Sequence, residues 1–266
     1  MNARPKKSFG QHFLHEKRYI ERIVSAIAPK DGDTLIEIGP GEGALTLPLL
    51  AAAHRLTAIE LDTDLIPALD ERAAPIGDLR IVHADVLKVD FAALARELGA
   101  SRLRIAGNLP YYISSPILFH CIEHAAAIQD MHFMLQKEVV DRMAADPGSK
   151  VYGRLSVMLQ LACRVVPLFD VPPGAFRPPP KVDSSVVRLV PLAPEERHDA
   201  DPDAVHAVVK AAFAQRRKTL SNALRQLLGA DSIRGAGIDP GARAETLTPN
   251  DFVRLAKALP PQVAKD

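Results

Sequence analysis

From residue 34 to about residue 136, short apolar runs alternate with helical patterns, and this alternation leaves few folds open. Thr34–Gly39 (TLIEIG), Arg55–Asp62 (RLTAIELD), Leu79–Asp85 (LRIVHAD), Leu103–Asn108 (LRIAGN) and Met131–Gln136 (MHFMLQ) are apolar at nearly every position. Runs of that kind suit strands buried on both faces of a sheet. Helical patterns lie between them near 43–53, 63–73, 90–98 and 115–127. Strand and helix in strict turn predict a parallel, doubly wound α/β sheet.

The pattern changes after Lys137. A helix is expected over 155–163, then strands over 165–171 and 184–190, separated by the proline-rich stretch from Pro172 to Pro180. Two strands joined by a loop rather than a helix predict an antiparallel hairpin at the sheet edge. The segment Ala193–Pro202 is charged and carries prolines, as a linker would. Beyond it only helical patterns remain, near 203–214, 217–228 and 249–258. The expected division is therefore a large α/β domain over 1–195 and a small all-α domain over 196–266. A length of 266 residues suits one large domain with an appendage.

Several classes are disfavoured. No apolar run approaches the roughly 20 residues that cross a bilayer. The basic start Met1–Lys7 leads into Ser8-Phe9-Gly10-Gln11-His12 rather than an apolar segment, so it does not read as a signal peptide. Cys121 and Cys163 sit in apolar stretches without metal-ligand spacing, which suggests buried, reduced thiols in a cytoplasmic protein. The net charge is only +1, but its distribution is uneven. Between Val205 and Gln226 stand Lys210, Arg216, Arg217, Lys218 and Arg225 with no carboxylate, and Arg4, Lys6, Lys7, Lys17 and Arg18 cluster near the start. Two such regions suit a polyanion, although many charge runs are only solvated faces.

The first strand runs into Glu37-Ile38-Gly39-Pro40-Gly41-Glu42-Gly43-Ala44. Glycines at the carboxyl end of a strand let backbone approach a ligand closely, and Glu60, about 20 residues on, suits the hydroxyls of a ribose. A nicotinamide dehydrogenase satisfies this pattern equally well, since Gly39, Gly41 and Ala44 fit its fingerprint. Asp85 and Asn108 end the next two strands, so Gly39, Glu60, Asp85 and Asn108 are expected on one sheet edge. As a lone residue Asp85 is more often a helix cap; among four aligned strand ends it suits the exocyclic amine of a bound adenine.

Asn108-Leu109-Pro110-Tyr111 separates the two readings. An adenine amine is a poor nucleophile because its lone pair is delocalised into the ring. The Asn108 side-chain oxygen and the Leu109 carbonyl can each accept an N–H of such an amine and aim its lone pair at a methyl donor. Pro110 stiffens the turn, and Tyr111 offers a stacking face. A turn with a packed tyrosine is the plainer alternative; a hydride-transfer enzyme would leave the group unexplained.

Together with Gly10-Gln11-His12-Phe13-Leu14, the stretch Phe176-Arg177-Pro178-Pro179-Pro180-Lys181-Val182-Asp183-Ser184 and Phe213-Ala214-Gln215-Arg216-Arg217-Lys218-Thr219-Leu220, these motifs resemble the signatures of the ribosomal RNA adenine dimethyltransferases, most closely the bacterial small-subunit members. The resemblance covers Lys7 to about Ala258. It implies a Rossmann-like class I methyltransferase domain, with S-adenosylmethionine as cofactor and no metal. It also implies a helical RNA-binding domain in a monomeric protein. The implied substrate is 16S rRNA in the small ribosomal subunit, dimethylated at N6 of two adjacent adenosines in the 3′-terminal hairpin loop. A checkpoint role in late small-subunit biogenesis goes with it.

Carried over by position, His12, Leu14, Gly39, Glu60, Asp85 and Asn108 would bind the donor. Asn108, Leu109, Tyr111 and Phe176 would hold the target base, with Tyr111 and Phe176 sandwiching it, and Arg216, Arg217 and Lys218 would meet RNA phosphates. Many family members have asparagine where this chain has His12. Rivals are a 23S rRNA methyltransferase conferring macrolide resistance, against which the C-terminal domain argues, and an assembly factor that binds rRNA without turnover. Tyr112 has no assigned chemistry and is expected to pack.

Overall fold

The computed structural model describes residues 12–215 and 217–260. The expectations for Arg4, Lys6, Lys7, Gly10, Gln11 and Arg216 lie outside these residues. The described strands are β1 (Phe13–Leu14), β2 (Leu35–Ile38), β3 (Arg55–Glu60), β4 (Asp78–His83), β5 (Leu103–Asn108), β6 (Ile128–Gln136), β7 (Cys163–Val171), β8 (Phe176–Arg177) and β9 (Ser184–Pro191). The helices of the first half are α1 (Lys17–Ile27), α2 (Thr46–Ala53), α3 (Ile66–Ala73), α4 (Phe91–Glu97), α5 (Ser114–Glu123) and α6 (Lys137–Met143). Those of the second half are α7 (Arg154–Ala162), α8 (Pro202–Ala214), α9 (Leu220–Ala223), α10 (Ala230–Gly235) and α11 (Pro249–Lys257).

Among the described residues one sheet runs in the order β4-β3-β2-β5-β6-β9-β7. The pairs β2/β3, β2/β5, β3/β4 and β5/β6 are parallel, and β9 runs antiparallel to β6 with Met131 opposite Leu189. This is the mostly parallel sheet with an antiparallel edge that the alternating runs and helices predict, and the Rossmann-like architecture that the resemblance implies. Strand order reverses between β2 and β5, the switch point where doubly wound sheets open a crevice for ligands. The reason for the apolar runs is visible in β2, whose four residues, Glu37 included, are all buried.

At the amino end of β5, Arg104 is held by two hydrogen bonds to Asp130 of β6, both 2.9 Å, one to Asp33 at 2.6 Å, and one to the carbonyl of Ile27 at 2.7 Å. A buried guanidinium is tolerable only when its donors are satisfied in this way. It fixes the end of α1 against the sheet. Strongly amphipathic α1 buries Ile23 and Ile27 in the same core as Leu35, Leu49, Leu56 and Ala106.

The chain divides into two compact units, Met1–Val140 with Val166–Pro191, and Asp141–Val165 with Leu192–Asp266. This differs from a single boundary at 195/196. Tyr152, Val157 and Leu161 are buried in the core formed by Val205, Val208, Leu224 and Phe252, and the Tyr152 hydroxyl donates to the Leu247 carbonyl at 2.9 Å, so Asp141–Val165 packs with the helical unit. Within that unit the helix expected over 217–228 is reduced to α9. The amides of Leu220 and Ser221 donate to the carbonyls of Ala242 and Pro240, and Thr219 bridges Arg243, so the chain there pairs with another segment before coiling. The apolar face nevertheless packs as its spacing suggests, with Ala212, Leu220, Leu224 and Leu228 buried.

Cys121 and Cys163 are free and buried, and burial pushes the Cys163 thiol up to about 12, with the Arg197 charge opposing. Among the described residues no helix is long and apolar enough to cross a membrane, and no group of histidine, cysteine and carboxylate side chains could hold a metal.

Candidate active site

The carboxyl ends of β2, β3, β4 and β5 open into one cavity that is continuous with solvent. His12, Leu14, Gly39, Glu60, Asp85, Asn108, Leu109 and Tyr111 all line it. Gly39 has φ +66°, and a Cβ placed there would meet nothing within 4 Å, so the cavity side of this turn is open. Its amide donates to the Ile59 carbonyl at 2.9 Å, which pins the turn to β3.

Glu60 is 7% exposed. Its Oε1 accepts from the Asp62 amide at 2.8 Å and its Oε2 from the Gly41 amide at 3.2 Å. Each carboxylate oxygen thus retains a lone pair for the cavity, in a carboxylate held rigid by two loops. Asp85 lies just beyond β4, where it caps a turn and also borders the cavity. Its Oδ1 caps the 3-10 turn Val86–Lys88 through the Leu87 amide at 3.0 Å, and the carboxylate also lines the cavity.

Asn108 closes β5. Its Nδ2 donates to the backbone carbonyl of His12 at 3.2 Å, which turns Oδ1 into the acceptor left for a ligand. Leu109 is 1% exposed, and its amide donates to Met134 at 3.1 Å, so its carbonyl is held by a fixed backbone. The Tyr111 hydroxyl lies 2.6 Å from Ser184 Oγ, and its ring stacks on the His12 imidazole with centroids 5.8 Å apart. Burial raises the Tyr111 phenol above its ordinary range, with the Ser184 hydrogen bond opposing. The His12 ring itself donates from Nδ1 to the Pro178 carbonyl at 2.8 Å.

Phe176 is not brought to this cavity. Its side chain is 2% exposed and packs in the core with Leu14, Met134, Val171 and Val186, because β8 pairs with β1 and sets Leu14 opposite Phe176. Arg217 and Lys218 lie in the exposed turn between α8 and α9 of the helical unit, without an ion pair among the described residues.

Other lining residues had weaker signals in the sequence. Glu37 is 1% exposed, and its carboxyl is pushed up to about 7, first by burial and then by the nearby Glu60 charge, against the Thr46 hydroxyl. Glu37 Oε2 has no hydrogen-bond partner among the described residues. A carboxylate inside an apolar strand next to the glycine turn was the available sign. Leu61, 48% exposed, offers an apolar face beside Glu60, and Tyr112 lines the cavity at 57% exposure instead of packing. This set of a glycine turn, paired carboxylates and an apolar face fits a nucleoside-bearing donor, beside two carbonyl acceptors suited to an amine.

Comparisons with known proteins identify the family. The family described as ribosomal RNA adenine dimethylase matches residues 2–260. A protein of Xanthomonas oryzae pv. oryzae named ribosomal RNA small subunit methyltransferase A is 60% identical, over 97% of this chain and 98% of its own. The protein of the same name from Xanthomonas axonopodis pv. citri is 61% identical over 96% of each. Among solved structures, a dimethyladenosine transferase from Plasmodium falciparum superposes with TM-score 0.78 at 27% identity, covering 92% of this chain and 96% of that one. The 23S rRNA methyltransferase ErmE superposes with TM-score 0.72 at 26% identity, over 93% and 99%. The chain belongs to the ribosomal RNA adenine dimethylase family.

Proposed function

We propose that this rRNA adenine methyltransferase dimethylates N6 of two adjacent adenosines in the 3′-terminal hairpin loop of 16S rRNA, within the small ribosomal subunit. The donor in this reading is S-adenosylmethionine, no metal is needed, and the protein works as a cytoplasmic monomer. The observation that carries the reading is the meeting of Gly39, Glu60 and Asp85 with Asn108, Leu109 and Tyr111 in one cavity at the switch point of the sheet.

On the donor side, Glu60 accepts from the ribose hydroxyls, Asp85 from the adenine amine, and His12, Leu14 and Gly39 border the methionine part. When bound, the donor supplies an electrophilic methyl on a sulfonium, so no strong general base is required. On the target side, Asn108 Oδ1 and the Leu109 carbonyl accept the two N–H groups of the amine and draw its lone pair out of conjugation. Tyr111 stacks on the base. Phe176 serves as the opposite face only if β1 and β8 part, since its ring is otherwise enclosed. After one transfer a single N–H remains, so the amine must rotate between the two acceptors before the second. Arg216, Arg217 and Lys218 hold phosphates and read no base; loop shape and single-stranded access supply the specificity. The same grip on immature subunits would serve a late checkpoint in their biogenesis.

The test is incubation with labelled S-adenosylmethionine and immature small subunits from a methylation-deficient strain, followed by nucleoside analysis. Labelled dimethyladenosine in 16S rRNA is expected. Label confined to large-subunit RNA would move the protein to the 23S class, and binding without label would leave a non-enzymatic assembly factor.

A further inference from the structure

Tyr111 and Tyr112 are adjacent, line the same cavity and behave differently. Tyr111 is tied by its hydroxyl to Ser184 and by its ring to His12. Tyr112 is 57% exposed, and its hydroxyl has no hydrogen-bond partner among the described residues. A single exposed aromatic on a surface carries little meaning. One at the rim of a ligand cavity, beside an aromatic already engaged, carries more. Both rings belong to the 3-10 turn Tyr111–Ile113, where successive residues diverge by about 120°. Two side chains so disposed cannot lie on the same flat base. The Tyr112 ring therefore does not share a face with Tyr111, and its exposure sets it at the mouth rather than the floor of the cavity.

We propose that Tyr112 is a positioning residue that stacks on the nucleobase flanking the target adenine, holding the single strand in place while its neighbour is inside. This rests on the reading of the cavity as an RNA adenine methylation site. Stacking on an aromatic face tolerates any base, so Tyr112 sets the placement of the strand and leaves recognition to RNA shape. A ring at that position also gives two adjacent adenosines a common arrangement, one in the pocket and one on the rim.

The test uses the full chain and its Tyr112→Ala and Tyr112→Phe variants, with immature small subunits as substrate. Tyr112→Ala is expected to raise KM for RNA about tenfold, the loss of one base–aromatic stack, with donor affinity and the salt slope of RNA binding unchanged. Tyr112→Phe is expected to match wild type. A hairpin carrying 2-aminopurine beside the target gives the independent signature: its fluorescence falls on binding to wild type and to Tyr112→Phe but not to Tyr112→Ala. An unchanged KM, equal quenching by all three proteins, or a shift confined to donor affinity, which would assign the ring to the cofactor, each overturns the proposal. Absence of any transfer by the wild-type protein would instead overturn the reading on which it rests.

Discussion

Asn108 Nδ2 donates to a backbone carbonyl, and that bond decides which atom of the amide a ligand meets. Replacement of Asn108 by alanine is expected to abolish methyl transfer while donor binding, which in the proposed reading also draws on Glu60 and Asp85, stays measurable by calorimetry; full activity in that variant would refute the assigned role. Because the acceptor is the His12 backbone, this bond does not depend on whether histidine or asparagine stands there, which side-chain chemistry alone could not reveal. Glu37 permits a second prediction at this scale. Its ordinary value of 4.5 rises to about 7 in the fold through burial. Below the lower value folded and unfolded chains both hold the proton. Between about 4.5 and about 7 only the fold keeps it, so stability falls as pH rises, and above about 7 the loss is complete. Glu37→Gln should raise the Tm of the unliganded protein at pH 8, by up to about 3 kcal/mol of stability, and leave it nearly unchanged at pH 4.5. An equal shift at both pH values would exclude the buried charge as the cause.

At the scale of elements, the site depends on how closely β5 approaches β2. A Cβ on Gly107 would lie 2.6 Å from the Ile38 carbonyl oxygen, a backbone atom that cannot swing aside. Gly107→Ala should therefore lower stability by about 1–3 kcal/mol and weaken donor binding, as read by denaturant unfolding and calorimetry. An unchanged midpoint would mean the strands have room to part. The central strands of the main sheet were legible in the sequence because a doubly covered strand is apolar nearly throughout, as in β2 and β5, whereas the edge strands β4 and β7 keep exposed positions. The pair β1/β8 was not, since two-residue strands carry no periodicity, and with it went the burial of Phe176 against Leu14. The shortened α9 was missed for a related reason: its start is set by carbonyls of Pro240 and Ala242, which no local propensity anticipates.

For the molecule as a whole, the basic turn belongs to a helical unit whose chain path includes Asp141–Val165. Replacing Arg216, Arg217 and Lys218 together by alanine should weaken RNA binding and reduce the slope of log affinity against log salt by about 2–3. An unchanged slope would remove this turn from the interface. Methyl transfer should fall through KM for RNA, with donor affinity unaffected, since the cavity proposed to hold the donor is lined wholly by residues of the α/β unit.

The sequence by itself determined a mostly parallel sheet with an antiparallel edge, the glycine turn and the grouping of Gly39, Glu60, Asp85 and Asn108 on one edge. Each of these follows from local rules: burial demands apolar strands, close backbone approach demands glycine, and parallel strands put all carboxyl ends on the same side. Tertiary structure alone decided that Phe176 is enclosed while Tyr112 stands in the cavity mouth, that the His12 carbonyl orients Asn108, and that Asp141–Val165 packs with the helices. Those outcomes depend on contacts between residues far apart in the chain, whose burial and partners are set only when distant segments meet.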